Sequence, residues 1–227
     1  MQVRWYGQAA FRLVAADGKT VFIDPFQMDM AALRSRGMHF DYPPIKGERA
    51  DLVLVTHEHL DHNGVEAIAG DPKAIRQSAG TFDTPVGQVV GVAADHDRVA
   101  GTQRGMNAVY VLTIDGLRVC HFGDYGQAAL RPEQEAAIGA ADILMLPVGG
   151  GPTVDAEGAH ELVRRLRPRW VVPMHYRTPA TSFLDTADAF LARFSRVEHL
   201  PEPGFDSADL PAPRGGEPVV VVPAVPT

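Results

Sequence analysis

Thr56-His57-Glu58-His59-Leu60-Asp61-His62-Asn63 follows directly on the apolar run Leu52 to Val55. Three imidazoles and the Asp61 carboxylate thus stand within six consecutive positions. Neutral imidazole nitrogen and carboxylate oxygen suit Zn, Mn, Fe and similar divalent ions, whereas ordinary packing has no need of such groups side by side. Side chains alternate along an extended chain, so His57 and His59 share a side and can grip one ion. His62 breaks that parity. The chain is therefore expected to turn at Asp61-His62, and a helix-like segment from Gly64 to Ala69 to present both groups to a second ion. A helix cap would account for Asp61 and leave the histidines unexplained.

The run before the motif is short and does not alternate, the pattern of a strand buried on both faces. Ile143 to Leu146 and Trp170 to Val172 read the same way. Such strands need outer cover, and helices are predicted over Gly64 to Ala69, Pro132 to Ile138, Ala156 to Leu166 and Phe183 to Phe194, the last two with apolar residues at three-to-four spacing. Val3-Trp5, Phe11-Leu13 and Val21-Ile23 alternate, with Asp17-Gly18 as a turn between the last two, which predicts an antiparallel meander. A similar hairpin, Val109 to Ile114 and Leu117 to Phe122 around Asp115-Gly116, opens the second half. One domain, 1–227, with loosely similar halves of about 1–105 and 106–227, is the expected organisation. Each inner strand is followed by chemistry: His57, His96 after Val89 to Ala94, Asp124, Gly149-Gly150-Gly151 and His175. Ligands of α/β sheets gather beyond strand carboxyl ends, so these residues are expected to converge at one rim.

With 227 residues, 45% hydrophobic content and a net charge of -7, the chain is long enough for a sizeable core and lacks the basic surface that nucleic-acid phosphate would require. Cys120 is the single cysteine, no charged-then-apolar leader opens the chain, and no apolar run nears the ~20 residues of a membrane span. A cytoplasmic protein is expected. Met28 to Arg49 is a long connection of little periodicity, read as a lid, a pocket wall or a surface excursion. In the Pro-rich tail after Leu200, Val219 to Val222 reads as an edge strand.

The spacing H-x-H-x-D-H, with the later His96, Gly123-Asp124 and His175-Tyr176, resembles the metallo-β-lactamase superfamily. Tyr6-Gly7-Gln8-Ala9, Val21 to Pro25, Phe122-Gly123-Asp124, Pro147 to Gly150 and Pro173 to Tyr176 are similar to the ascorbate-6-phosphate lactonase type and its hydrolase relatives. The resemblance implies an α/β fold, an αββα sandwich of two mixed sheets with outer helices. It implies that His57, His59 and His96 hold one metal, that Asp61, His62 and His175 hold the other, and that Asp124 bridges them. Two divalent ions, Zn or Mn with Fe as a further candidate, would stand ~3.5 to 4 Å apart and activate a water between them. The activity implied is hydrolysis of a small ester, lactone or phosphorylated molecule, with Asp61 and Asp124 as the catalytic carboxylates. A homo-oligomer is compatible with that resemblance.

Around this set, Asp24 ends a strand at the expected rim, either as acceptor for a ligand imidazole or as an Asp-Pro turn residue. Tyr176 and Arg177 are candidates to face substrate, as hydrogen-bond donor and anion clamp. Gln103, Arg104 and Asn107 read equally as pocket mouth or exposed loop. His121 reads as a core histidine, and His160 and His199 fall outside the set. Two other functions fit the motif: a mononuclear iron dioxygenase acting on a persulfide, and a metal-holding protein without turnover.

Overall fold

The structure, a computed structural model, describes residues 1–27 and 39–227. Residues 28–38, the first half of the connection read above as a lid, wall or surface excursion, lie outside the described residues. Two sheets face each other. The first contains β1 (Gln2–Gly7), β2 (Ala10–Val14), β3 (Thr20–Ile23), β4 (Leu52–Val55), β5 (Lys73–Arg76) and, beside β1, β13 (Gly204–Asp206). The second contains β6 (Gly80–Thr84), β7 (Gly87–Asp95), β8 (Met106–Ile114), β9 (Leu117–His121), β10 (Ile143–Pro147), β11 (Trp170–Met174), β14 (Val219–Val222) and β12 (Val197–His199), in that spatial order. Each sheet mixes antiparallel and parallel pairs.

Two-residue periodicity builds the core between them. Val21, Ile23, Leu52 and Leu54 face the second sheet, where they meet residues such as Val109, Val111, Val119 and Met145. Phe22, Val53 and Val55 face the other way, into a smaller cluster with Phe26, Phe40, Tyr42 and Ile45. Both faces of β4 are therefore buried, as its unbroken apolar run requires. Among the described residues its outer face is covered by this aromatic loop and not by a helix. On the far side of the second sheet lie α1 (Pro132–Ile138) and α2 (Ala156–Leu166). Asp155 caps α2 by accepting from Gly158 N–H at 2.9 Å, and Ala159, Leu162, Val163 and Leu166 form its buried stripe.

Three expectations change. The segment Gly64 to Ala69 forms only a single 3₁₀ turn, Val65–Ala67, because Gly64 N–H is taken by the Pro25 carbonyl and Ala69 N–H by that of Glu48. The helix expected over Phe183 to Phe194 shrinks to α3 (Asp188–Leu191). Its first residues have the right periodicity, but the Leu184 and Asp185 carbonyls accept from Arg177, and Asp185 N–H donates to Gly149, so they leave no helical ladder to join. Val219–Val222 is a strand but not an edge, since β12 covers the side opposite β11.

Asp115 and Gly116, with φ of 51° and 78°, make the β8–β9 hairpin turn, which needs left-handed backbone at both positions. Cys120 is fully buried and burial pushes its thiol up to about 12. We expect iodoacetamide at pH 8 to leave the native protein unmodified and to alkylate it once in denaturant; alkylation of the native chain would contradict this burial. Among the described residues no helix is long and apolar enough to cross a membrane.

Candidate metal centre

β7 and β9 both run antiparallel to β8, and β9, β10 and β11 run parallel, so the chain leaves β7, β9 and β11 at the same end of the second sheet. His96, Asp124 and His175 sit just past those ends. The β4 end of the first sheet is held against them by Tyr110, whose hydroxyl donates to the Val55 carbonyl at 3.1 Å, and by Ala108 N–H on the Thr56 carbonyl at 2.8 Å. After His57 the chain turns, with His62 N–H on the His59 carbonyl at 2.9 Å. Glu58 faces outward and pairs with Arg76 at 2.5 Å, which removes the remaining carboxylate of the motif from the cluster.

The seven candidate ligands come together. His57, His59 and His96 form one group, Asp61, His62 and His175 a second, and His57, His62 and Asp124 a third, with donor atoms in each group within 4.8 Å of one another. Asp124 lies at the middle. Its Oδ2 is 3.2 Å from His175 Nε2, 3.3 Å from His96 Nε2 and 3.8 Å from His57 Nε2, while Oδ1 is 3.3 Å from His62 Nε2. Buried His57 Nε2, His62 Nε2 and Asp124 Oδ1 have no hydrogen-bond partner. Orphaned polar atoms at this depth are costly, and neutral imidazoles converging on carboxylates are the donor set of a divalent cation, so these residues fit a metal.

The surrounding contacts aim the rings. Asp24, fully buried, accepts from Thr56 N–H at 2.7 Å, Thr56 hydroxyl at 2.7 Å and His62 Nδ1–H at 2.8 Å. Because the Thr56 hydroxyl proton is spent on Asp24, its oxygen accepts from His57 Nδ1–H at 3.1 Å. Both imidazoles thereby turn Nε2 inward, His57 with its lone pair free and His62 with one that a cation would free by displacing the Nε2 proton. Electrostatics divide the cluster. Burial, and then the charge on His62, push His57 down to about 2. Burial also opposes charge on His62, but Asp124, Asp61 and Asp24 together outweigh it and raise His62 well above the usual histidine range. Burial opposes ionisation of Asp124 as well, yet His175 and His62 hold its carboxyl well below the usual range. Three carboxylates around one cluster leave a demand for positive charge in the pocket.

Reading the chain alone missed Gln8, Thr56 and the task of Asn107. Gln8 is fully buried with left-handed backbone, φ 50°; its amide N–H donates to Asp61 Oδ2 at 3.0 Å and its carbonyl accepts from Trp5 Nε1–H and His175 N–H. It ties one ligand loop to another. Gln8→Ala is expected to lower metal affinity about 10- to 100-fold, measured by chelator competition, while leaving the far-ultraviolet spectrum unchanged. Unaltered affinity would remove Gln8 from the centre. Asn107 is not at a pocket mouth: it is buried, donates to the Phe122 carbonyl and accepts from Asp124 N–H at 3.0 Å. Between them Gly123, at φ 53°, packs so closely on Thr56 and Asn107 that a Cβ would collide with both. The Gln103 and Arg104 amides bind Asp97 and shape the loop after His96.

Tyr176 stacks on Trp5 at 5.7 Å and is buried, and Arg177 Nε donates to the Leu184 carbonyl, so each has a structural task. His121 donates from Nε2 to the Ala9 carbonyl and accepts at Nδ1 from Gly123 N–H, satisfying both ring nitrogens. His160 packs on Phe194, away from the ligands.

The pattern of the beta-lactamase superfamily domain matches residues 2–175. The chain belongs to the beta-lactamase superfamily. Within this superfamily it is 30% identical over 202 residues to a UPF0173 metal-dependent hydrolase of Thermococcus onnurineus, covering 78% of this chain and 85% of that one. A solved Thermotoga maritima structure, assigned to the Zn-dependent hydrolases of the metallo-beta-lactamase superfamily, superposes with a TM-score of 0.75 at 30% identity over 97% of each chain. An isothiocyanate hydrolase from Delia radicum gut bacteria shares the fold, with a TM-score of 0.67 at 17% identity over 100% of this chain and 98% of its own. This superfamily member is a metal-dependent hydrolase.

Proposed function

We propose that the centre is binuclear, that it is filled by Zn or Mn, and that it hydrolyses a small ester, lactone or phosphorylated molecule. The observation that carries this reading is the position of Asp124, whose two oxygens face imidazoles of both donor groups. His57, His59 and His96 would hold one ion and Asp61, His62 and His175 the other. Divalent ions there supply Lewis acidity toward a carbonyl or phosphoryl oxygen and acidify water enough for hydrolysis near neutral pH. The chain supplies the rest. Asp24 and Thr56 fix the His57 and His62 tautomers, and Asn107 and Gly123 fix the height of Asp124. Asp61, with 19% of its side chain exposed and Oδ2 anchored by Gln8, is the carboxylate that reaches the opening and orients attacking water. Because the ligands come from both halves, we take 1–227 as one functional domain, with a small-molecule substrate and a cytoplasmic setting.

The test is hydrolysis across lactones, carboxylic esters and phosphodiesters before and after chelation. Turnover of at least one class should vanish with chelator, return with Zn or Mn, and fail to return in His62→Ala. Chelator-insensitive turnover, or none by metal-loaded protein, would overturn the reading.

A further inference from the structure

A cleft of about 470 Å³ opens between the end of α2, the residues after α3 and the turn before β14. Its position is remote from the metal centre. α2 starts beyond the carboxyl end of β10, near Gly149, and after 11 residues, or ~16 Å of helix, returns to the amino end of parallel β11. Pro218 enters the cleft immediately before β14, which also runs parallel to β11. The cleft therefore lies at the end of the second sheet opposite His175.

Three arginines are among its lining residues, Arg164, Arg167 and Arg193, against one acidic residue, Glu217. The lining is thus net positive in a chain whose net charge is -7. Among the described residues Arg167 and Arg193 have no carboxylate within salt-bridge distance, and Arg164 makes only an exposed contact to Glu161 at 3.3 Å. Glu217 is engaged by the Ser195 hydroxyl at 2.5 Å. Val163 and Phe194, the latter edge-on to His160 at 5.3 Å, add an apolar wall. Its volume suits a small organic ligand, and planar guanidiniums match phosphate oxygens in pairs.

We propose that this cleft is a second binding site, for a phosphorylated small molecule whose remaining part is flat or apolar. The guanidiniums of Arg167 and Arg193 take the phosphate oxygens, and Val163 and Phe194 the rest. The site needs no metal and stands independently of the hydrolytic reading.

The probe is inorganic pyrophosphate, titrated by calorimetry into the full-length protein with sulfate at matched ionic strength as control. Arg167→Asn/Arg193→Ala tests the site, with Asn chosen because Arg167 is left-handed at φ 48° and Asn tolerates that backbone. Both positions are exposed, and an unchanged melting temperature verifies folding. Wild type should bind pyrophosphate saturably and more tightly than sulfate, the double variant roughly tenfold or more weakly, and Gln8→Ala as wild type. Equal binding by the double variant, loss in Gln8→Ala, or no preference over sulfate would overturn the proposal.

Discussion

Asp124→Ala is expected to reduce bound metal by at least one equivalent per chain and to bring hydrolysis to background, with the fold retained. The carboxylate lies 3.2 to 3.8 Å from four ligand imidazoles, so no other side chain in the cluster faces both donor groups so closely. Deleting it leaves His57, His62, His96 and His175 converging on a volume without the central anion. A cation there would lose charge compensation as well as a ligand. The backbone consequence is small by comparison, because Asn107 grips residue 124 through its main-chain N–H and that contact survives the substitution. Metal content by plasma mass spectrometry and the chelator-reversible assay together check this. Two bound equivalents in the variant, or wild-type turnover, would remove Asp124 from the centre.

Asp24→Ala should act on stability and on metal together. The carboxylate is fully exposed to protein and to no solvent, and three donors depend on it: Thr56 N–H, the Thr56 hydroxyl and His62 Nδ1–H. Removing it strands all three in a dry site, a loss of about 3 to 5 kcal/mol by the cost of breaking a buried charged network. The Thr56 hydroxyl is then free to rotate, so His57 loses its fixed tautomer, and His62 loses its own. A further 10- to 100-fold fall in metal affinity is expected on that account. Asp24→Asn keeps the shape and should lose less stability. Urea unfolding of metal-free protein separates the two effects from chelator competition on the folded chain. Stability within about 1 kcal/mol of wild type, the scale of an average substitution, would show that the network is not holding the loop.

Much of the centre was legible because its residue types are rare outside metal sites and stand close together in the chain. His57 to His62 announce themselves by chemistry, and His96, Asp124 and His175 by their place after strands. The inner strands were legible for a related reason: β4 is buried on both faces, and burial on both faces erases alternation. The residues that aim the ligands were not. Gln8 and Thr56 are unremarkable in a sequence, and they matter only because left-handed backbone at Gln8, Asp24 and His175 brings three distant loops into hydrogen-bond range. Asn107 looked like loop polarity because its partner, Asp124 N–H, is 17 positions away. Periodicity misled at Phe183 to Phe194, where apolar spacing was helical but carbonyls were already committed to Arg177. At Val219–Val222 the Pro-rich surroundings suggested an edge, and only the pairing of β12 moved it inside.

The most direct test of a binuclear centre is metal stoichiometry by plasma mass spectrometry, on protein purified without chelator or affinity metal, beside His62→Ala handled identically. The proposed binuclear reading predicts close to two equivalents of Zn or Mn per chain, falling by at least one in the variant. A single equivalent of Fe, or no metal bound after reconstitution, would contradict it.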